Sequence, residues 1–581
     1  MTEPYRNFRT AVYCTARDVL RMQDDSWRDG TLAAIEGSVH VDKVYLESFR
    51  SMETVDRAVL ERTRDFFAGK GIATAGGITT SRETTPDWDF KSLCYSSDED
   101  RRTLAEVSAL TAEIFDEIIL DDFFFTNCTC ERCVAGKGDH TWAEFRLGQM
   151  REVSENLVVG PAKKANPKVR VIVKYPNWYE SFANAGYNLD LGSTVFDGAY
   201  TGTETRDAAY SSQHLPPYLS FGIVRYYENI HPGRNGGGWV DPFQRRDLDR
   251  YGEQLRLTLL AKAREITLFC WGVLADWYTE YDTSPDHHHV APTAGRELRV
   301  IDDLLGHLGT PTGLASYRPL HTSGEAFLHH HLGTVGIPTD MTPVFPDTGT
   351  VLLTEGAKAD PDIVAKTQAH LKAGNTVVLT SGLLRVIEDE FQRVVPLQVT
   401  ARKAMVGTFT TFSDVYRSAE RILLPEVAHP TNGASEVISA LQGEASFPVL
   451  IRVLFGPGVL YVLTIPDTPT DLYELPREIG TALKRVLLRD QIAQVEGAAK
   501  IGLFLYDNDT LVINSFTPHP TEAVLVVHRA DAVVTDLVTG EALAGTTTRV
   551  GTTAGVGTTA GGTTRVPLAL SPGTFRAFRV G

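Results

Sequence analysis

Eight apolar runs of strand length, set among segments of helical pattern, fill the first half of this chain, and nothing else in the sequence narrows its fold as far. The runs are residues 10–14, 43–47, 71–75, 118–120, 169–174, 194–200, 221–226 and 266–271. Helical candidates between them are 53–67, 102–115, 142–165 and 248–263. In the first of these Val55, Val59 and Phe66 fall roughly on one face, and Gly69 and Gly71 close it. Strands separated by helices pair in parallel, because each crossover needs the room a helix takes. Eight such units in about 300 residues give the count and length of a (β/α)8 barrel, or TIM barrel, whereas a doubly wound sheet stops nearer about five or six strands.

At 581 residues the chain is too long for one core. Residues 310–498 change character. A helix is expected over 324–333, strands at 351–354, 376–380 and 460–464, and helices over 361–373 and 472–488, which makes a smaller α/β domain with a parallel sheet. Residues 499–581 carry short alternating runs at 501–506, 511–514 and 523–528 and read as a small C-terminal β-sandwich. Within it, 545–564 is rich in Gly and Thr with Gly-Thr-Thr recurring, the composition of a mobile surface loop. The domains are therefore 1–309, 310–498 and 499–581.

Composition removes several function classes. A formal charge of -17 argues against nucleic acid or an anionic membrane as partner and suits a neutral substrate such as a carbohydrate. The first residues lack the apolar core of a signal peptide, and no run of about 18 apolar residues occurs to span a membrane. Six cysteines, all before residue 271, are too few for a secreted disulfide scaffold of this size, so reduced thiols and a cytoplasmic location are expected. The second domain has no cysteine and cannot use a thiol nucleophile.

The chemistry concentrates in residues 117–133. Ile118, Ile119 and Leu120 form a buried strand that runs into two carboxylates, Asp121 and Asp122, and then into Cys128, Cys130 and Cys133. Catalytic groups in a barrel sit where the strands meet their following loops. Strand ends there offer Glu47, Asp121, Asp122, Glu204 and Glu228. Glycoside hydrolysis needs two such carboxyls across the bond, one as acid and the other as nucleophile or base. Asp122 as nucleophile or base and Glu204 as acid form the pair expected here; Asp121 and Asp122 cannot pair with each other, because successive strand side chains point to opposite faces. Each carboxylate alone has a structural reading as well, as a salt bridge or, for Glu204 between Thr203 and Thr205, as a helix-start group. Lys174, Asn177, Trp178, Arg206, Trp239 and Trp271 fall near the same face, with aromatics for the C–H side of a sugar and polar groups for its hydroxyls. Gly236 to Gly238 do not follow a phosphate-cradle pattern. The three clustered thiols need a fourth ligand for tetrahedral zinc, and Cys94, on the loop after the third strand, supplies it; four thiolates make a structural site. The triplets His287–His289 and His329–331 read as solvated loop or helix residues.

In architecture the chain resembles the family 42 glycoside hydrolases, which are β-galactosidases. The resemblance is carried by Leu93-Cys94-Tyr-Ser-Ser, by Cys128-x-Cys130-x-x-Cys133 just past strand four, and by Gly324-Glu325, Leu352-Leu-Thr-Glu-Gly356 and Gly374 to Ser381. It implies a structural zinc on the cysteines and an amidotransferase-like second domain that serves assembly of a homo-oligomer, a trimer in that family. The sequence departs from that family at strand four, where Leu120-Asp121-Asp122-Phe123 replaces an Asn-Glu pair, and at strand seven, where Glu228 is the nearest candidate nucleophile. An Asp on strand four with a carboxylate on strand six instead resembles barrels that act on α-linked sugars, such as family 36 α-galactosidases. The expected protein is a glycoside hydrolase that takes a terminal sugar from small oligosaccharides or glycosides. The alternatives are a non-catalytic carbohydrate-binding or scaffold protein and a metal-dependent hydrolase using His287–His289 with Asp121.

Overall fold

The computed structural model describes residues 2–84, 90–276, 286–412, 414–430, 432–548 and 562–581. Most of the Gly/Thr-rich stretch falls outside them, so the expected loop there lies outside the described residues. The chain divides into two compact units, residues 1–306 and 307–581.

The first unit is the barrel. Its strands are β1 (Arg9–Cys14), β2 (Lys43–Arg50), β3 (Ala73–Ile78), β4 (Glu117–Leu120), β5 (Arg170–Tyr175), β6 (Gly198–Gly202), β7 (Asn235–Val240) and β8 (Glu265–Phe269). Each pairs in parallel with its neighbours, and β1 pairs with both β2 and β8, which closes the ring. Seven strands stand within a few residues of their expected places. The exception is the expected seventh strand, 221–226, which lies inside the helix Leu219–Ile230. That helix is buried nearly all round, so its sequence shows no polar face to betray the 3.6 period. The real β7 falls in what reads as a glycine loop. Its glycines are there for close approach: a Cβ on Gly237 would come within 2.2 Å of the Glu265 carbonyl oxygen.

The barrel interior is filled by Ala11, Tyr13, Tyr45, Ala75, Ile119, Ile172, Tyr200 and Trp239, with Phe269 packed against them. Every strand contributes at least one residue, so this is a packed core and not a pore. Below it, at the N-terminal end, Lys43 bridges Glu117 at 2.8 Å and Glu265 at 2.7 Å.

The second unit opens with β9 (Leu314–Tyr317), β10 (Thr339–Thr342), β11 (Thr350–Leu353) and β12 (Thr376–Thr380), followed by the long antiparallel strands β13 (Gln398–Thr410), β14 (Val415–Ala428), β15 (Ala434–Gln442) and β16 (Ala445–Phe455), then β17 (Gly458–Leu463). They form one sheet in the order β10-β9-β11-β12-β17-β16-β15-β13-β14, parallel across its first five strands and antiparallel beyond them. The expected parallel α/β sheet is thus present and extended by four strands. The expected helix over 324–333 starts later, as Leu328–Thr334. Before it, His321, Glu325 and Phe327 hold positive φ, and the Glu325 carboxylate accepts from Glu355 N, Thr380 Oγ1 and Gly382 N. This side-chain satisfaction of backbone donors competes with helix. His329, His330 and His331 are buried, not solvated as expected; His329 meets Ser316 Oγ at 2.8 Å and His331 meets Tyr473 Oη at 2.7 Å.

Two further sheets, of six and four strands, make the C-terminal region. Its first strand, β18 (Ala493–Gly497), pairs antiparallel with Thr521–Val527. The strand Pro311–Thr312 pairs with Ile501–Tyr506.

Candidate active site

The mouth of the barrel follows from the parity of its strands. Side chains alternate in and out, so a residue two places beyond an interior residue also faces the axis. Tyr45 leads to Glu47, Ile119 to Asp121, Ile172 to Lys174, Trp239 to Asp241, and Tyr200 through Gly202 to Glu204. Thr79, four residues beyond Ala75, completes the set. Two glycines make the room. A Cβ on Gly77 would stand 2.5 Å from the Tyr13 hydroxyl, and one on Gly202 would stand 2.8 Å from Glu204 Oε2.

These groups alternate in charge around the mouth. Glu47 accepts from the Tyr13 hydroxyl at 2.7 Å and from Ala16 N at 2.6 Å, and pairs with Arg50 Nε at 2.8 Å. Arg50 reaches on to Asp121 Oδ2 at 3.4 Å. Asp121 Oδ1 lies 3.3 Å from Lys174 Nζ. The same ammonium is 2.9 Å from Asp122 Oδ2 and 3.3 Å from Glu204 Oε1, and sits 4.2 Å above the Trp239 ring centroid. Beyond Glu204, Arg206 grips Asp241 with two bonds of 3.1 and 2.8 Å, the fork geometry that suits a carboxylate. Arg206 holds a φ of 55°, in the left-handed region, with its own N–H given to Gln254. Strain of this kind persists where surrounding contacts over-determine it.

The three carboxylates around Lys174 titrate apart. Burial pushes Asp122 up to about 8; Lys174 opposes the shift, while Asp121 and Glu204 add to it. Burial also raises Glu204, against the pull of Lys174 and with a push from Asp241. Asp121 is buried too, but Lys174 and Arg50 together bring it below the usual carboxylate range. Among these coupled groups a proton is held more readily by Asp122 and Glu204 than by Asp121.

The structure brings together Glu47, Asp121, Asp122, Lys174, Glu204 and Arg206 as expected strand-end groups. Asn177 donates to the Glu204 carbonyl, and half-buried Trp178 stands beside Tyr187, which donates to the Asp122 carbonyl. Trp239 is the floor beneath Lys174. Two expected sugar contacts lie elsewhere. Trp271 begins a short helix, donates its indole N–H to Thr31 at 3.0 Å and packs on Phe67. Glu228 is near the C-terminal end of the helix Leu219–Ile230, paired with Arg264 at 2.9 Å below the start of β8, so it belongs to the opposite end of the barrel. The strand-seven carboxylate is Asp241, which sequence reading missed because it misplaced that strand. Arg50 and Tyr13 were missed as well; strand parity finds both once the register is known. His287 lies against Asp276, and the histidine triplet forms no metal-binding group with Asp121 among the described residues.

Residues 1–292 match the family described as probable glycosyl hydrolase, catalytic domain. The chain belongs to that family. Residues 493–580 match the family described as probable glycosyl hydrolase, C-terminal domain, and residues 308–468 match the second domain of the uncharacterized protein SSO3021. That protein, from Saccharolobus solfataricus, is 25% identical over 541 residues, spanning 86% of this chain and 88% of its own. Among solved structures, the family 42 β-galactosidase Gan42B of G. stearothermophilus aligns at TM-score 0.65 and 12% identity over 99% of both chains. The β-galactosidase of Bacillus circulans sp. alkalophilus aligns at 0.62 and 11%, also over 99% of both. The exo-β-1,4-mannosidase Op5Man5 of an Opitutaceae bacterium aligns at 0.52 and 12%, over 84% of this chain and 95% of its own. At such identities the likeness is one of fold: a closed barrel followed by sheet-rich domains.

The chain also gathers its cysteines. The sulfurs of Cys94, Cys128, Cys130 and Cys133 all lie within 4.8 Å of one another, and Cys94 is 3.7 Å from both Cys130 and Cys133. Four thiolates about a zinc at about 2.3 Å would be separated by about 3.8 Å along each tetrahedral edge, so the donor set fits a closed site. The loops it would join are those after β3 and β4, the second of which carries Asp121 and Asp122. No helix among the described residues is long and apolar enough to cross a membrane.

Proposed function

We propose that this glycosyl hydrolase removes a terminal sugar from small oligosaccharides or glycosides, with Asp122 and Glu204 as its catalytic pair. The observation that carries this reading is Lys174, whose single ammonium touches both carboxylates. Two oxygens 2.9 and 3.3 Å from one nitrogen are separated by less than the sum of those distances. That closest approach is compatible with the roughly 5–5.5 Å of a retaining pair, and a double displacement is the reaction proposed. The titration order supports Asp122 as the proton donor and Glu204 as the nucleophile, the reverse of the roles expected from sequence. Asp241, at the end of β7 and electrostatically coupled to Glu204, is the second candidate for nucleophile. In this scheme the bound sugar displaces the Lys174 ammonium from the pair toward charged Asp121, beside Asn177 and Trp178. A structural zinc on the four cysteines holds the loops beside the site, and the chain works as a cytoplasmic homo-oligomer.

The test is hydrolysis of α- and β-aryl glycosides, galactosides and mannosides first because of the relatives' activities, by the wild type and by Asp122→Asn, Glu204→Gln and Asp241→Asn. Loss of roughly 10²–10⁴-fold in the first two, with unchanged melting, is expected for a general acid and its partner. Full activity in Glu204→Gln with loss in Asp241→Asn moves the nucleophile to Asp241. Sugar-induced stabilisation without turnover in any assay replaces the reading with a carbohydrate-binding protein.

A further inference from the structure

Away from the barrel, one amine is enclosed by aliphatic side chains. Lys484 lies on the helix Arg477–Leu487, is 4% exposed, and donates from Nζ to the Val495 carbonyl at 2.9 Å. Lysine is seldom buried without a charge to meet it. The carboxylate whose field reaches it, Glu496, is already held by Arg565 at 2.6 Å and Arg485 at 3.2 Å. Burial lowers the Lys484 amine to about 8, with Glu496 opposing, so a fraction is neutral and nucleophilic near neutral pH.

The same lysine borders a cavity of about 30 Å³ whose walls include Leu332, Val335, Ile337, Leu472 and Leu483. Such a space holds about two water molecules, and most of the side chains around it are aliphatic. It suits a molecule far smaller than a sugar. Arg477 lines the cavity from the first turn of the helix, and its ion pair to Glu478 is a loose 3.8 Å.

We infer that Lys484 is a carbon dioxide site, where the amine adds to CO2 in this cavity to form a carbamate paired with Arg477. The nitrogen lone pair forms a C–N bond, the electrons of one C=O bond move to oxygen, and one N–H proton passes to solvent. No oxidant or reductant is needed. The remaining N–H keeps its bond to Val495. Two features select CO2 over other electrophiles, the small volume and the buried amine at its edge, and Arg477 on the same lining supplies the cation for an anionic product.

The full-length protein is incubated with 13C-bicarbonate at mildly alkaline pH, trapped with triethyloxonium, and mapped by peptide mass spectrometry. An ethylated, 13C-labelled carbamate on Lys484 is expected, absent in Lys484→Met. Because that variant removes a core contact and could fail to fold, Arg477→Gln, at a side chain 63% exposed, is run beside it and is expected to lower occupancy several-fold without changing Tm. An unlabelled Lys484 in a sample whose N-terminal amine carries label overturns the assignment, as does undiminished labelling in Arg477→Gln.

Discussion

Lys174 decides how three carboxylates share their protons. With its charge present, Asp121 stays ionised and Glu204 is held down against burial. Replacing it by Met leaves buried carboxylates facing one another, and breaking a buried ion network costs about 3–5 kcal/mol. Lys174→Met is therefore expected to lower Tm and to move the acidic limb of the pH–rate profile upward. Asp122 has the opposite sign of coupling. Its folded value of about 8 lies above the unfolded value near ~4, so its contribution is complete below about pH 4 and drains away as pH rises toward 8. Asp122→Asn should remove that slope: between pH 6 and about 8 denaturant titrations should find the variant at least as stable as wild type, though inactive. In wild type, kcat/KM should fall above about pH 8 as the acid loses its proton. A profile flat through pH 8 sinks the role of Asp122 as acid. The sequence made Asp121, Asp122, Lys174 and Glu204 legible as a group, because several polar residues together at the ends of apolar strands are harder to explain structurally than any one of them alone. Their mutual geometry was not legible, since it depends on register among β4, β5 and β6. Asp241 needed β7 in its right place, and Glu228 was misplaced for the same reason.

At the scale of elements, propensity and packing disagree most at β7. Phe221 to Tyr226 carries aromatic and β-branched residues that favour a strand, yet a helix buried on all sides can use them equally well. Asn235 to Gly238 reads as a glycine loop but forms a strand whose glycines are fixed by close neighbours, the Glu265 backbone at Gly237 and the Thr258 side chain at Gly238. Local rules failed where a tertiary contact dictated residue size, and the failure marked the strand that presents Asp241. The loops after β3 and β4 were read better, since cysteine spacing is itself a geometric statement. If a metal clamps them, exhaustive chelation should lower Tm and expose the four thiols to alkylation, and Cys133→Ser should do both without chelator. Cys133 is the buried one of the four, so its loss should be felt more than that of exposed Cys130. Thiols that react equally fast before and after chelation argue for an unmetallated cluster.

For the whole molecule, the barrel was legible from seven correctly placed strands and the length of chain they span, and the rest only in outline. Three of the five parallel strands of the second unit follow from alternation with helices, while the short β9 and β10 escaped the reading. The antiparallel extension β13 to β16 carries exposed positions on both faces of its long hairpins, and its mixed patterning hides it. The expected boundary at 498 cuts off β18, which belongs to the C-terminal sheet because it pairs along its length with Thr521–Val527. A fragment beginning at 499 should therefore aggregate through an uncovered edge, while one beginning at 493 should be the more soluble of the two by sedimentation. One feature of the barrel core reaches beyond stability. The Lys174 ammonium rests on the face of Trp239, and a cation at that distance perturbs an indole's excited state. Any molecule that lifts the ammonium off the ring will alter its emission. The chain has seven tryptophans, so the signal is the difference between wild type and Trp239→Phe. The barrel thus contains its own optical gauge of occupancy, readable with unlabelled, colourless sugars.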